Sequence, residues 1–351
     1  GSLMAEIETL MGVSAADIEK VMGVGSGDIE KVMGVELITS IGYQGSRSVS
    51  GQGHTAGYGT TTDYDYKALT SDSDTLDFGD AVAGLGRRYH ASVGSDSRAC
   101  YGGGVHILSD GSGGFTGGEV KTNAIEYITI GSTGNGTDFG DMLAAGKAYV
   151  GGSSNGTRGL YCGGRIGGTN YDAIEYLTVA STGNTSDGGD LTRDIFYCAT
   201  NANVAPGRMV GLMGADADYT NKDFNYVAIM STDDAADFGD AQTNGAMCQL
   251  IGLSESRNVW AWGYDNGSHI LTMEYLNPSA LGDTTDFGDL DTTASNGSGK
   301  HTNGTRGETW SGAESNTDVQ YITIASTGDA TTAGEIRDGN QRSYYDAWSG
   351  D

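Results

Sequence analysis

The tetrapeptide DFGD occurs at 77–80, 138–141, 237–240 and 286–289, with the degenerate forms DGGD at 187–190 and TAGE at 332–335. Aspartates on either side of a glycine turn can hold a divalent ion or accept backbone N–H bonds. No D-x-[DN]-x-[DN]-G loop with a distal glutamate accompanies them. The structural reading is therefore preferred, with Phe78, Phe139, Phe238 and Phe287 packing between repeats. Ca2+ is the one ion these aspartates would suit, and no other cofactor is implied. A catalytic motif has no reason to recur once per repeat. The phosphate loop, strand lysine and catalytic loop that accompany a DFG element in protein kinases are missing. The histidines, His54, His90, His106, His269 and His301, stand at no metal-ligand spacing. Cys100, Cys162, Cys198 and Cys248 form no CxxC pair and read as small buried strand residues. Among 46 acidic residues a carboxylate pair at glycosidase spacing will arise by chance, so the acids do not identify an enzyme and no catalytic residue is singled out.

Two further sets recur. Arg47, Arg98, Arg158, Arg208, Arg257 and Arg306 each open a short strand-like run. One reading makes them clamps between repeats, to backbone or to a repeat carboxylate such as Glu126 or Glu175. The other makes them a ring of ligand contacts. Tyr101, Tyr161 and Trp260 lie three residues after their arginines, with Trp262, Trp310 and Trp348 at equivalent or neighbouring strand positions. Such side chains either fill a core or stack on sugar faces. On the second reading Tyr101, Tyr161, Trp260, Trp262 and Trp310 are the candidate ligand-binding residues.

The elements that must position these residues follow from the repeat. The acidic ends of the tetrapeptides fall at 80, 141, 190, 240, 289 and 335, a spacing near 50. Each unit carries an alternating run rich in β-branched residues, such as AIEYITI at 124–130 or AIEYLTV at 173–179, then a polar STGN-type turn. There are three clear strands per unit and room for a fourth before the next arginine. With 59 glycines for the turns, this predicts an all-β six-bladed β-propeller over 41–351. The YYDAWSG segment at 344–350 is expected to supply the strand that the unit opening at Arg47 lacks, closing the first blade. Before it, IETLMGV at 7–13 and IEKVMGV at 18–24 and 29–35 repeat every 11 residues. Residues 4–38 are read as three short α-helical repeats, with Ser14 as a cap and glycines as stops. Their apolar faces, including Ile18, Met22, Ile29 and Met33, need a partner. That partner is the following domain, another copy of the chain, or a different protein of a larger assembly. Residues 1–3 are read as a tag remnant and start.

A formal net charge of −27 excludes nucleic acid and anionic membrane as partners. No run of 18 apolar residues predicts a spanning helix, and no basic-then-apolar leader is evident.

The segments RGLYCGG at 158–164, AIEYITIGSTGNGTDFGD at 124–141 and VQYITIASTGDATTAGE at 319–335 resemble kelch-like propeller repeats of structural and tail-associated proteins of tailed bacteriophages, especially marine ones. The IEKVMGV repeat also looks like a segment common in such phage and prophage proteins. The resemblance implies a location in the virion and a non-enzymatic role: a tail- or capsid-associated adhesin that meets a host glycan or protein, attached to other virion proteins through the N-terminal repeats. The alternatives are a carbohydrate-active enzyme, a lyase or glycosidase, on the same scaffold, and a purely structural assembly protein.

Overall fold

The computed structural model describes residues 47–50, 62–82, 86–109, 115–196, 199–203, 207–212, 222–243, 249–262, 264–265, 268–293, 298–310, 317–337 and 346–350, with four dipeptides at 20–21, 24–25, 31–32 and 35–36. The chain divides into two compact units, Gly1–Ile41 and Gly42–Asp351.

In the first unit the described dipeptides are strands. Lys20–Val21 pairs with Val24–Gly25, and Lys31–Val32 pairs with Val35–Glu36, both antiparallel. This corrects the expectation of short α-helical repeats at these positions. Each IEKVMGV unit places valines on both sides of a Met-Gly dipeptide. Val21 pairs with Val24 across two residues, a hairpin spacing that β-branched side chains favour. Ile18, Met22, Ile29 and Met33 lie outside the described residues.

The second unit is all-β. Sheet I has the order Ala347–Gly350, Arg47–Ser50, Asp63–Ala68, Leu76–Asp80. Sheet II runs Ala91–Gly94, Arg98–Gly102, Ala124–Thr129, Thr137–Asp141. Sheet III contains Gly151–Ser154, Arg158–Cys162, Thr169–Thr178 and Ser186–Ile195, with Arg165–Ile166 as a short extra strand. Sheet IV runs Ala199–Asn203, Arg208–Leu212, Asp223–Ala228, Ala236–Asp240. Sheet V runs Gln249–Leu253, Asn258–Ala261, Thr272–Leu276, Thr285–Asp289. Sheet VI runs Ser298–Thr302, Arg306–Trp310, Asp318–Thr323, Thr331–Glu335. All pairings are antiparallel. The strand at 347–350 joins sheet I with Trp348 opposite Val49 and Gly350 opposite Arg47.

This topology corrects the expectation of a kelch-like six-bladed β-propeller. The strands form separate small antiparallel sheets, and among the described residues no sheet closes on itself into a barrel or propeller. The sequence period dictates how many strands each sheet has, but it carries no information on closure. Main-chain hydrogen bonding instead ends at each sheet's fourth strand, whose outer edge is used by turns of a neighbouring sheet.

Those turn-to-edge contacts explain DFGD. The Phe78 carbonyl accepts the N–H of Gly134, in the STGN turn of sheet II, at 2.8 Å, and the Asp80 N–H donates to Asn135 Oδ1 at 3.0 Å. The same pair of bonds joins sheet II to III at Gly183 and Asn184, IV to V at Gly282 and Asp283, and V to VI at Gly328 and Asp329. Between sheets VI and I, Thr75 N–H reaches the Glu335 carbonyl and Asp74 accepts from Glu335 N–H. The close approach requires the tetrapeptide's glycine. At Gly140, with φ of +144°, a Cβ would sit 2.4 Å from the Gly183 carbonyl oxygen. Phe78, Phe139, Phe238 and Phe287 are buried, each edge-on to a tyrosine of its own sheet: Tyr66, Tyr127, Tyr226 and Tyr275.

Candidate functional site

The repeated arginines sit at the start of each second strand, over the ring of the third-strand tyrosine. The guanidinium carbon lies 4.0 Å from the Tyr66 centroid for Arg47, 4.3 Å from Tyr127 for Arg98, 4.0 Å from Tyr176 for Arg158 and 4.3 Å from Tyr275 for Arg257. Each then donates to a main-chain carbonyl of the next sheet: Arg47 to Ile130, Arg98 to Val179, Arg158 to Ile229 and Arg257 to Ile324. Arg306, over Tyr321, binds Glu308 and Asp72, while Arg208 rests over Tyr226. Arg47, Arg98, Arg158, Arg257 and Arg306 are thus inter-sheet clamps, each held in place by a cation–π contact within its own sheet, whereas Arg208 shows the contact alone.

The carboxylates expected to partner them do something else. Asp65, Glu126, Glu175, Asn225, Glu274 and Gln320 occupy one position in the six third strands. Five of these side chains hold the segment that arrives from the preceding sheet. Glu126 accepts from Val82 N–H and pairs with Arg87 at 2.5 Å. Glu175 accepts from Leu143 N–H at 2.9 Å, Thr185 Oγ1 at 2.7 Å and Lys147 Nζ at 3.1 Å. Glu274 accepts from Gln242 and Thr243 N–H, Gln320 from Asp291 and Thr292 N–H, and Asn225 from Thr192. Asp65 takes the Arg337 guanidinium. Lys67 and Glu308, both inaccessible, tie sheet I to sheet VI at 2.9 Å, and Lys300 pairs with Asp346. Buried charges are tolerated only when paired and hydrogen-bonded, and these are.

Tyr101, Tyr161, Trp260, Trp262 and Trp310, the sequence candidates for sugar stacking, are all buried, at 0–1% exposure. Tyr101 Oη donates to the Val49 carbonyl and Tyr161 Oη to the Cys100 carbonyl, so each leans onto the preceding sheet. Trp260 packs 4.8 Å from Phe224, and Trp310 stacks 3.7 Å from His301. Buried to this degree, they form core and cannot meet a ligand from outside. Cys100 and Cys162 are buried, and burial pushes the Cys100 thiol up to about 12. Cys198 and Cys248 lie outside the described residues.

One nucleophile–base contact escaped the sequence. Ser48 Oγ lies 2.6 Å from His301 Nδ1. Both residues are fully buried, Ser48 also meets the Trp348 carbonyl and Ser349 Oγ, and burial holds the imidazole well below its ordinary pKa. The pair packs sheet VI against sheet I and has no approach for a substrate. Among the described residues no cluster of three or more His, Cys, Asp or Glu side chains could hold a metal, and no helix is long and apolar enough to cross a membrane.

The two ends of the sheets differ. At one end lie the tight connections from first to second and from third to fourth strand, nearly uniform from sheet to sheet. At the other, the described parts of the connections from second to third strand and from sheet to sheet differ from sheet to sheet. Sheet II inserts a hairpin, Val105–Ser109 with Phe115–Lys121, that pairs with Arg87–Arg88. Sheet III extends its third and fourth strands, and sheet V inserts Tyr264–Asp265 with Ser268–His269. Tyr89 and Tyr149, each two residues before a first strand, stand at this variable end, partly exposed, with ring centroids 4.0 Å apart and planes tilted by 37°. Both have left-handed backbone, at φ of +60° and +62°. Tyr149 N–H donates to the Tyr89 carbonyl at 2.8 Å. Tyr149 continues edge-on to Phe196 at 5.9 Å, and guanidiniums terminate the row, Arg88 over Tyr89 and Arg165 over Phe196. The sequence carried no specific signal for this place: Tyr-x-Ala/Gly occurs at 89–91 and 149–151, at 197–199 and 345–347, and equally at 43–45, 66–68, 101–103, 161–163, 171–173 and 226–228. Tyr197 and Tyr345 lie outside the described residues.

No protein-family model matches the chain, and no curated protein matches it.

Proposed function

We propose that this protein is a non-enzymatic structural component of a tailed-phage particle that uses the variable end of its sheets to bind a host surface. The observation that carries this reading is the division of labour between the two ends. The recurring residues, five of the six arginines, the DFGD glycines and the third-strand polar side chains, join sheets or hold the segments between them. The spacing between elements varies most in the connections from second to third strand and from sheet to sheet. A rigid frame with variable loops on one side suits recognition. The phage assignment rests on the repeat segments quoted above and on the 11-residue N-terminal repeat, which would attach the protein to other virion proteins.

The test is a screen of labelled protein against bacterial envelopes and envelope glycans, with and without Ca2+, with reducing-end release assayed in parallel. Saturable binding without turnover is the expected result. Release of reducing ends would overturn it in favour of a lyase or glycosidase. Binding only to other virion proteins, abolished by deleting 4–36, would assign an assembly role instead.

A further inference from the structure

We propose that Lys300 Nζ and the Asp346 carboxyl condense into an amide bond, an autocatalytic cross-link that fastens the strand Ala347–Gly350 to sheet VI, with His90 relaying a proton. The inference is independent of the host-binding role.

Three features set this pair apart. First, the backbone aims the lysine. The pairing of Ser298–Thr302 with Arg306–Trp310 shifts register between Ser298 and His301, and Lys300 has left-handed backbone at φ of +70°. Bulges and strained backbone of this kind re-aim a side chain. Lys300 thereby reaches beyond its own sheet: Nζ donates to Asp346 Oδ2 and lies 3.3 Å from the Ser92 carbonyl oxygen in sheet II. Lys67 and Lys147, the other lysines in buried pairs, lack this backbone. Second, the electrophile is held. Asp346 Oδ2 accepts from Ser92 N–H at 2.8 Å and Oδ1 from Ala347 N–H at 2.9 Å, donors placed to stabilise the oxyanion of a tetrahedral intermediate. The side chains are only 7% and 15% exposed, so little water reaches the pair to reverse the reaction. Third, a base shares the face. His90 stands two residues before Ser92 and stacks on Tyr101, the residue opposite Ser92 in the neighbouring strand. It is buried, and neither ring nitrogen has a hydrogen-bond partner. Burial first, then the charges of Arg87 and Lys300, hold the imidazole well below its ordinary pKa, so it stands neutral and able to take a proton.

In the reaction Nζ loses two protons, one directly to the carboxylate and one by way of His90. The nitrogen lone pair attacks Cγ, the Cγ–Oδ2 bond breaks, and both protons leave on that oxygen as water. Ammonium and carboxylate disappear together, so the net charge is unchanged and no co-reactant is needed. Condensation of a free amine with a free acid runs uphill in water, but a fixed pair reaches an effective molarity of about 10⁵–10⁸ M, which offsets that.

The experiment measures the intact mass and tryptic map of the full chain beside Lys300→Arg, which keeps the ion pair but cannot form the amide, and His90→Phe. Folded wild type should be one water lighter than its sequence mass. Trypsin should fail to cut after Lys300 and should release 258–306 joined to 343–351. Lys300→Arg should have its full sequence mass and melt at a lower temperature. Wild type recovered from inclusion bodies in guanidinium chloride should also have its full mass and lose the water on refolding. His90→Phe should lose it on the order of a hundredfold more slowly. Full mass in folded wild type after prolonged incubation, with cleavage after Lys300, overturns the cross-link. Loss of water that maps to any other peptide overturns it as well. Condensation of His90→Phe at the wild-type rate overturns the relay.

Discussion

Glu175 is the most informative residue to perturb, because the protein contains its own control. Its carboxylate takes one charged and two neutral donors, Lys147 Nζ, Leu143 N–H and Thr185 Oγ1, and Lys147 is inaccessible to water. Glu175→Gln keeps an acceptor for the neutral donors but leaves a buried ammonium unpaired. Breaking such a pair from one side costs about 3–5 kcal/mol. Glu175→Ala should cost about 2 kcal/mol more, since the Leu143 N–H and Thr185 hydroxyl also lose their acceptor. At the corresponding place in sheet VI, Gln320 accepts from Asp291 and Thr292 N–H, and no cation among the described residues pairs with it. A neutral amide therefore fits the frame when no charge is buried with it. The double variant Glu175→Gln, Lys147→Met should accordingly recover to within about 1–2 kcal/mol of wild type. Guanidinium chloride unfolding of the four proteins at constant pH, with m-values checked for equality, gives the differences. Equal destabilisation of Glu175→Gln and the double variant would refute the argument. It would mean that the segment 141–150 is held by something other than charge pairing.

Further outcomes follow from other contacts. Gly140→Ala forces a Cβ to within 2.4 Å of the Gly183 carbonyl oxygen and should lower stability by about 2–4 kcal/mol, read as a shifted denaturation midpoint, whereas Gly156→Ala meets nothing within 4 Å and should pay only the strain of its φ of +85°. Burial holds the imidazoles of His90 and His301 well below their ordinary pKa. The unfolded chain therefore binds more protons below about pH 6.5, so stability is complete above that pH and falls as pH drops, by close to 3 kcal/mol per pH unit for the two together. His90→Phe, which keeps the ring against Tyr101, should halve that slope in denaturation measured at pH 7 and 5.5. Arg98→Gln removes both the contact with Tyr127 and the bond to Val179 and should cost about 1–3 kcal/mol; a loss below 0.5 kcal/mol by chemical denaturation would show that the clamp is idle. Ending the chain after residue 345 removes Trp348 from beneath Ser95 and bares the edge of Arg47–Ser50, so cooperative melting should broaden and fall in temperature.

Much of the local structure was legible in the residues. The alternation of AIEYITI, the arginine that opens each second strand and the STGN turn define strands that the structure contains. The β-branched periodicity behind them is a direct consequence of one buried face. Closure was not legible. A period of about 50 counts strands per repeat and says nothing of how sheets end, and here they end as separate antiparallel units. The N-terminal repeat misled because Val, Met and Gly at 11-residue spacing satisfy a short helix and a two-residue hairpin alike. Glu126 and Glu175 were expected to partner the repeated arginines, but their cations are Arg87 and Lys147, which belong to no repeated motif and are found only once the incoming segments are placed. The aromatic candidates failed for a physical reason. Strand aromatics in a sheet covered on both sides are core, whereas Tyr89 and Tyr149 precede their strands and so emerge at the end.

The pairing of Ala347–Gly350 with Arg47–Ser50 sets an order of events during synthesis. The outer three strands of sheet I are complete at Asp80, but the fourth arrives only after about 270 more residues, on the order of 15–55 s at ribosomal speeds. Throughout that interval the main-chain groups of Arg47–Ser50 present an open edge on which another nascent chain can pair. Sheets II to VI draw their strands from contiguous sequence and bear no such delay. Yield in a fast-translating host should therefore be limited by this one edge, and a chain rearranged so that 346–350 directly precedes Arg47 should fold with less aggregation than the natural order.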